Sequence, residues 1–272
     1  MWMVVTGCHS PPFFFQETKI QLSIEQAFDF SNQVVLITGA ATGIGFSTAQ
    51  QFAERGATLV LVDRDEKIHE VTQALGTRHL SLVADVSNEE TVVSSVTIAI
   101  EKFGRIDVLV NNAGIGPLSK SEETTSALWD ATMAVNLKGS FLFAREVGKH
   151  MILRKRGRII NMASQAALVA LDGHLAYCAS KAGVLGMTRV MAQEWGPLGI
   201  TVNAISPTVV DTELGARGSW AGEIGAAFKK KIPTGRFALP VEIAMSALYL
   251  ASGAAAMVNG ANIVVDGGYT AG

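Results

Sequence analysis

Residues 34–45 read Val-Val-Leu-Ile-Thr-Gly-Ala-Ala-Thr-Gly-Ile-Gly, an apolar run that leads directly into a glycine-rich turn. Consecutive aliphatic residues without polar alternation predict a strand that is buried on both faces, as in a parallel sheet. Glycines let the backbone approach a pyrophosphate, and the N–H groups at the start of the next helix can hold phosphate oxygens. The spacing differs from the common Gly-x-Gly-x-x-Gly pattern, so a plain glycine-rich turn is the alternative. The residues predicted to bind a dinucleotide here are Gly39, Thr42, Gly43, Ile44 and Gly45.

The alternation of short β-rich runs with longer helical runs continues to the end of the chain. The β-rich runs are continuous in Val, Ile and Leu, which is typical of strands covered on both faces. Repeated βα units with right-handed crossovers build a doubly wound parallel sheet with helices on both faces, so we predict a single-domain α/β fold of the Rossmann type. The predicted strands are 34–38, 58–62, 79–83, 106–110, 157–162, 201–205 and 262–265, and runs of helical length include 44–55, 89–103, 127–151 and 175–195.

Composition excludes several classes of protein. The chain has 272 residues, of which 49% are hydrophobic and 17% are charged, so it can bury a large core. Its formal net charge of −2 argues against nucleic-acid binding, which requires a basic face. The two cysteines, Cys8 and Cys178, suit neither a disulfide framework nor a zinc site. We therefore expect a cytoplasmic protein without a metal site.

Two uncharged stretches, residues 30–53 and 243–265, are long enough to cross a bilayer. Glycine and polar residues divide each of them into a strand and a helix, so we predict no membrane span. Residues 1–30 are interpreted as a poorly ordered extension, because no basic residue precedes the first cysteine and the apolar stretch is too short for a signal peptide. Residues 31–272 form the predicted domain, with a substrate loop at about 207–240.

Asp63 ends the second predicted strand, 24 residues after Gly39. A carboxylate in this place accepts hydrogen bonds from the adenosine ribose hydroxyls and repels a 2′-phosphate, so the sequence favours NAD over NADP. Arg64 is a contrary hint, since an arginine can accept that phosphate. Other strand-end clusters are expected at the same edge of the sheet, although each is also typical of an ordinary turn. Their candidate cofactor residues are Asp85, Val86, Asn112, Ala113 and Gly114.

Tyr177 and Lys181 are four residues apart on a predicted helix, so the phenol and the ammonium lie on one face of it. A phenol titrates near ~10 and is a poor base at neutral pH unless a nearby cation favours the phenolate, which Lys181 would provide. Ser164 follows the fifth predicted strand, where it can hold a substrate oxygen beside the phenol. A Tyr-x-x-x-Lys spacing alone is also typical of an ordinary amphipathic helix.

Together these motifs resemble the short-chain dehydrogenase/reductase family over about residues 31–272. The resemblance implies a Rossmann-type sheet of seven parallel strands, a nicotinamide cofactor and a homotetramer. It also implies that the spacing of the Tyr–Lys pair separates this chain from the enoyl reductases of the same superfamily. The residues that carry the resemblance are, in chain order, 38–45, 111–114, Asn136, Ser164, Tyr177 and Lys181.

The resemblance implies a catalytic tetrad of Asn136, Ser164, Tyr177 and Lys181. In that scheme Tyr177 takes the proton of a substrate alcohol while hydride moves to the nicotinamide. Lys181 lowers the pKa of Tyr177 and binds the nicotinamide ribose. Ser164 positions the alcohol or carbonyl, and Asn136 holds a water that links Lys181 to solvent.

The chain departs from the family pattern after the sixth strand, where Ser206-Pro207-Thr208 replaces the usual Pro-Gly. We still assign cofactor contacts to Pro207, Thr208 and Val210. The N–H and the hydroxyl of Thr208 are the groups expected to meet the nicotinamide carboxamide.

Residues 206–214 and 218–222 resemble the polyol, or sugar-alcohol, dehydrogenase branch of the family. This implies NAD-dependent oxidation of a secondary alcohol whose further hydroxyls need several hydrogen-bond partners to be discriminated. The alternatives are a 3-oxoacyl reductase using NADPH, which Asp63 disfavours, and a non-catalytic cofactor-sensing scaffold, which the intact tetrad disfavours. The candidate substrate residues are Ser164, Gln165, His174, Tyr177 and Trp220, with Asp211 and Glu213 as further candidates.

Overall fold

The computed structural model describes residues 23–215 and 220–272. Its seven strands are β1 (Val34–Thr38), β2 (Thr58–Asp63), β3 (Leu80–Val83), β4 (Val108–Asn111), β5 (Gly157–Met162), β6 (Ile200–Pro207) and β7 (Asn262–Val265). They form one sheet in the order β3-β2-β1-β4-β5-β6-β7, and every neighbouring pair is parallel. The predicted Rossmann-type sheet of seven parallel strands is therefore confirmed.

Helices cover both faces of the sheet. α2, α3 and α9 contribute to the apolar core on one face, and α4, α6 and α7 contribute to the core on the other. The helices are α1 (Ile24–Ala27), α2 (Gly43–Glu54), α3 (Ile68–Leu75), α4 (Glu89–Phe103), α5 (Ser126–Met133), α6 (Gly139–Arg154), α7 (Leu175–Trp195), α8 (Gly222–Lys229) and α9 (Pro240–Ala251).

β1 shows why the strands are apolar at every position. All five of its residues are buried. Val35 and Ile37 belong to the core on one face of the sheet, whereas Val34 and Leu36 belong to the core on the other. Each fully buried side chain of this size stabilises the fold by roughly 1.5–3 kcal/mol.

The crevice for a ligand follows from the strand order. From β1 the chain builds the sheet toward β3, whereas from β4 it builds the sheet in the opposite direction toward β7. The loops that follow β1 and β4 therefore diverge at the carboxyl edge of the sheet. In open α/β sheets ligands bind in this crevice.

Most predicted element bounds agree with the structure to within two residues, but the helical run 127–151 is not one helix. A π-helical turn, Ala134–Lys138, separates α5 from α6. A π turn places one extra residue in the helical turn and is frequent at functional sites. No proline or other local break in the sequence announces it, and Asn136 lies at its centre.

The folded domain begins earlier than residue 31. α1 starts at a capping box in which Ser23 and Gln26 exchange hydrogen bonds. Phe30 is fully buried and its ring meets that of Phe52 edge-on, with the centroids 4.9 Å apart. The part of the predicted extension from residue 23 to residue 30 is thus packed structure, and its remainder, residues 1–22, lies outside the described residues.

The two uncharged stretches are divided as the sequence indicates. Residues 30–53 contain β1 and most of α2, and residues 243–265 contain most of α9 and β7. Within the described ranges, no helix combines the length and the apolarity that crossing a membrane requires.

His79 gives the fold a pH-dependent element. Its ring is buried, with Nδ1 accepting a hydrogen bond from the N–H of Leu59 at 3.1 Å and Nε2 lying 3.2 Å from the carbonyl of Leu75. This pairing requires the neutral ring. Burial, reinforced by the charge of Arg78, lowers the pKa of His79 below its ordinary value.

We predict that the folded protein loses stability as the pH falls below about 6.5. In the unfolded state the ring of His79 then binds a proton, whereas in the folded state the ring stays neutral to a lower pH. The slope cannot exceed about 1.4 kcal/mol per pH unit, which is the limit for one proton bound only by the unfolded state. Melting curves between pH 8 and pH 5 test this, with His79→Asn as the variant that cannot titrate. The variant should show a flatter dependence on pH than the parent, and parallel curves would contradict the assignment.

Candidate active site

The carboxyl ends of the strands line one cleft of about 440 Å³. It extends from Asp63 at the end of β2 to Trp220, which follows β6 and precedes α8. Apart from the two further acidic candidates, which are described below, Gly45 and Asn136 are the predicted site residues that do not line it. Those that do are Gly39, Thr42, Gly43, Ile44, Asp63, Asp85, Val86, Asn112, Ala113, Gly114, Ser164, Gln165, His174, Tyr177, Lys181, Pro207, Thr208, Val210 and Trp220.

The glycine-rich loop is held by the loop that follows β4. The side-chain amide of Asn112 donates to the carbonyls of Thr38 and Gly39 at 3.0 and 2.9 Å. Gly39 has a φ of +65°, which favours glycine. A Cβ at Gly45 would lie 2.0 Å from the carbonyl oxygen of Gly39, so this position has no room for a side chain.

The start of α2 suits an anion. Thr42 is the N-cap residue, and its side chain makes no hydrogen bond to the helix. The N–H groups of the first turn are therefore available to phosphate oxygens, and the helix dipole favours negative charge there. The backbone without side chains at Gly39 and Gly45, together with the start of α2, suits a pyrophosphate.

Asp63 connects the end of β2 to the glycine-rich loop. One carboxylate oxygen accepts the N–H of Ala41 at 2.9 Å and the other accepts the N–H of Asp65 at 3.1 Å. Each carboxylate oxygen can accept a further hydrogen bond. The carboxylate is thus fixed at the cleft wall, beside Arg64, and can still accept hydroxyl groups.

Lys181 is buried, with 3% of its surface exposed. Its ammonium donates to the carbonyl of Met162 at 2.7 Å and lies 5.8 Å from the centre of the Tyr177 ring. Burial lowers the pKa of Lys181 to about 8. Gly114 lies close to this group, since a Cβ there would lie 3.3 Å from Oδ1 of Asn136 and 3.5 Å from the lysine Nζ.

The phenol of Tyr177 lies in the cleft, and its pKa reflects three neighbouring influences. Burial raises the pKa of the phenol, a hydrogen bond with the Ser164 hydroxyl lowers it, and the neighbouring Cys178 raises it further. The Lys181 ammonium lies 5.8 Å from the centre of the phenol ring and donates to the carbonyl of Met162. The lowering of the pKa of Tyr177 by Lys181 stays a prediction.

Asn136 lies behind the cleft, fully buried in the π turn. Its amide nitrogen donates to the carbonyl of Ile115 and to the hydroxyl of Ser180, and its amide oxygen accepts the N–H of Ile115. Both amide N–H groups are thus engaged with the protein. The side chain fixes the loop after β4 against α7, beside Lys181, rather than offering these N–H groups to a water.

The end of the cleft at Trp220 is aromatic. His174 is 7% exposed and its ring stacks on that of Trp220, with centroids 5.8 Å apart and planes 13° apart. Trp220 in turn contacts Phe228 of α8, which stacks on Tyr269 near the carboxyl terminus. Part of the predicted substrate loop, 207–240, is therefore folded, with Trp220 packed against His174, and its residues 216–219 lie outside the described residues.

The two acidic candidates on this loop, Glu213 and Asp211, differ in whether they line the cleft. Glu213 lines the cleft, whereas Asp211 is not among the lining residues. The N–H of Asp211 donates to the carbonyl of Ala238, which ties the loop to the segment before α9.

Two groups of Thr208, its N–H and its hydroxyl, were expected to contact the nicotinamide carboxamide, and the structure places them differently. Its N–H donates to the carbonyl of Val265 at 3.0 Å, so the predicted contact of that N–H with the cofactor is wrong. Its hydroxyl is different. Thr208 is 7% exposed, lines the cleft, and its Oγ1 is buried without a hydrogen-bond partner. A buried hydroxyl with unmet capacity suits a carboxamide group placed there.

Comparison with known proteins shows the family to which the chain belongs. The family model that matches residues 39–270 is described as Enoyl-(Acyl carrier protein) reductase. A solved short-chain type dehydrogenase/reductase from Mycobacterium marinum superimposes with a TM-score of 0.87 at 33% identity, and the match covers 92% of this chain and 100% of that chain. The chain belongs to the short-chain dehydrogenase/reductase family.

Two curated members of the family are similar over nearly their whole length. The chain is 47% identical to an NAD-dependent glycerol dehydrogenase of Listeria innocua, over 90% of this chain and 97% of the relative. It is 50% identical to a D-threitol dehydrogenase of Mycolicibacterium smegmatis, over 92% of this chain and 97% of the relative.

Sequence reasoning missed several lining residues of this short-chain dehydrogenase/reductase. Leu171 and Val209 form part of the apolar wall near His174, and Gly116 lies against the Tyr177 ring. Single aliphatic residues in a loop carry no local signal for a binding site. Gly116 lies two residues beyond the Asn-Asn-Ala-Gly run, and that position was the one available clue.

We predict that Gly45→Ala destabilises the protein by about 1–3 kcal/mol, because the added Cβ overlaps the Gly39 carbonyl and must displace the loop. The matched control is Gly186→Ala. Gly186 lies inside α7 with no atom within 4 Å of an added Cβ, so this change should stabilise by about 0.5–1 kcal/mol. Denaturant unfolding measures both, and equal effects would contradict the role given to the bare backbone.

Proposed function

We propose that the protein is an NAD-dependent oxidoreductase that transfers a hydride between a secondary alcohol of a polyol and the nicotinamide. The supporting observation is that one cleft joins a pyrophosphate-sized loop and Asp63 at one end to Tyr177, Lys181 and Ser164 at the other. Two relatives at 47% and 50% identity bear the names of polyol dehydrogenases.

From one end of the cleft to the other, its residues would contact successive parts of NAD. The bare backbone at Gly39 and Gly45 and the start of α2 would hold the pyrophosphate, and Asp63 would accept the adenosine ribose hydroxyls. The unpartnered hydroxyl of Thr208 would meet the nicotinamide carboxamide. When bound, NAD supplies the acceptor for a hydride from the carbinol carbon.

Tyr177 is proposed as the general base for the alcohol and, in the reverse direction, as the acid for the ketone. Its ionised phenol would take the hydroxyl proton as the C–H bond of the carbinol breaks. Ser164, whose hydroxyl lowers the pKa of the phenol, would hold the same substrate oxygen. The cationic form of Lys181 in the same buried pocket would favour the phenolate once the alcohol is in place.

Asn136 is proposed as the positioning residue of the tetrad. It fixes the loop after β4 and the hydroxyl of Ser180, which directly precedes Lys181 in the chain. The main-chain carbonyls near the lysine, rather than the Asn136 N–H groups, are then the groups available to a water. Asp85, Val86, Ala113 and Gly114 complete the proposed cofactor wall.

We further propose that the enzyme is a cytoplasmic homotetramer. Apolar side chains are exposed on two separate surfaces, one formed by α6 and α7 and one by α9 and β7. Surfaces of this kind mark protein contacts when they are contiguous. They include Phe141, Leu153 and Val190 on the first surface and Val241, Met245, Tyr249 and Val264 on the second.

The test is reduction of NAD and of NADP at alkaline pH with a panel of C3–C6 polyols and simple secondary alcohols. We expect turnover of one or two polyols with NAD. No turnover with any polyol, together with oxidation of NADPH by a β-keto ester, would instead indicate a 3-oxoacyl reductase. Tight NAD binding with no turnover of any alcohol would indicate a cofactor-sensing scaffold.

We predict that Tyr177→Phe lowers kcat/KM for the best polyol by about 10²- to 10⁴-fold, because the proton acceptor is lost while the ring remains. NADH binding, followed by its fluorescence, should be unchanged. Tyr249→Phe is the matched control, because it removes a phenol outside the cleft lining and keeps the ring that the proposed subunit contact would use, so kcat/KM should stay at the parent value. Near-parental turnover in Tyr177→Phe would remove Tyr177 from this role.

We predict that Asp63→Ala raises the ratio of kcat/KM with NADP to that with NAD by about 10-fold or more, since the repulsion of a 2′-phosphate disappears. Asp65→Ala is the matched control, because Asp65 is an exposed carboxylate outside the cleft lining. An unchanged ratio in Asp63→Ala would assign cofactor preference to another group, such as Arg64.

A further inference from the structure

Gln165 is an anomaly in the cleft. It is 1% exposed, yet its side-chain oxygen, Oε1, is buried without a hydrogen-bond partner. Leaving a buried acceptor unpaired costs free energy, so native structures rarely keep one without a reason. Within the described part of the chain the other such side-chain atoms belong to Asn111, Thr201 and Thr208, and among the four residues only Gln165 and Thr208 line the cleft.

The backbone around Gln165 is rigid. Ser164 caps a short 3₁₀ turn, Gln165–Ala167, by accepting the N–H of Ala166 at 3.1 Å. The carbonyl of Gln165 accepts the N–H groups of Leu168 and Val169 at 2.8 and 3.0 Å. Gln165 and Ser164 are thus fixed in one turn, and the group that holds the reacting oxygen directly precedes the unpaired acceptor.

The position of Gln165 separates it from the cofactor end of the cleft. Thr208 lies directly after β6, where its hydroxyl is assigned to the carboxamide. Gln165 lies beyond β5, next to Ser164, and it lines the same cleft as His174 and Leu171. Gln165 therefore lies at the end of the cleft where the substrate is proposed to bind, and not at the nucleotide end.

The missing partner must be a hydrogen-bond donor, because the unpaired atom is an amide oxygen. A polyol offers such a donor on the carbon next to the one that is oxidised, whereas a simple secondary alcohol offers a hydrocarbon group there. We propose that Gln165 accepts a hydrogen bond from the hydroxyl adjacent to the reacting carbinol, and thereby makes the enzyme selective for 1,2-diols. This inference rests on the function proposed above.

The expected selectivity follows from what each substrate leaves unpaired. A diol satisfies Oε1, whereas a monohydric alcohol buries it against hydrocarbon. A site built to bind a hydroxyl discriminates strongly against the analogue that lacks it, because its own polar group then has no partner. We expect a preference of about 10- to 100-fold in kcat/KM.

The test compares 2,3-butanediol with 2-butanol, which differ by one hydroxyl next to the carbinol, using NAD and the full-length protein. The variants are Gln165→Met, which keeps the length of the side chain and removes the acceptor, and Gln165→Glu, which keeps an acceptor. Gln165→Met should lose about 10- to 100-fold in kcat/KM with the diol and change little with the mono-alcohol. Gln165→Glu should keep the preference for the diol, even where both rates fall.

NADH fluorescence titration of each variant reports whether the fold and the cofactor end are intact. If Gln165→Met loses activity equally with both alcohols, or with neither, the inference is overturned. If the parent oxidises polyols but does not prefer the diol, the inference alone fails. If the parent binds no NAD and oxidises no polyol, the proposed function fails as well, so the two failures are distinguishable.

Discussion

The contact between the glycine-rich loop and the loop after β4 is the constraint on which the site depends. Asn112 donates to two carbonyls of the first loop, and the hydroxyl of Thr38 accepts the N–H groups of Asn112 and Ala113. A Cβ at Gly39 would lie 2.8 Å from the Cα of Ala113, so this approach requires glycine. β1 and β4 lie where the strand order reverses. The contact therefore fixes the position of the dinucleotide end of the cleft relative to the alcohol end.

Behind this contact, buried hydrogen bonds connect the sheet to α7. Asn111 donates to Asn161 and to the carbonyl of Ser140, and the hydroxyl of Ser140 donates to the carbonyl of Asn136. Asn136 then donates to Ser180 of α7. A satisfied bond of this kind adds only about 1 kcal/mol, but a broken one leaves a buried polar group at a cost of about 1–3 kcal/mol. The network therefore favours one position of α7, and with it one position of the Tyr–Lys pair.

How far the sequence predicts the site depends on how local each signal is. Tyr177 and Lys181 could be paired because helical spacing alone brings them together. Asp63 could be assigned because it ends a strand at the edge where all strands of a parallel sheet point. The π turn at Asn136 could not, since no residue type there requires it. Leu171 could not either, because an aliphatic residue in a loop becomes a cleft wall only when distant segments pack around it.

Periodicity alone was sufficient to specify the parallel sheet, because it depends on backbone preferences within a few residues. The dinucleotide loop and the order of the proposed site residues also needed the resemblance of all the motifs together to one family. The chemical state of the groups was decided by packing. Burial sets the pKa of Lys181 and raises that of Tyr177, the N–H of Thr208 is taken by Val265, and the amide oxygen of Gln165 is left without a partner. Each of these depends on which remote atoms exclude water from the group, and only the folded chain brings those atoms together.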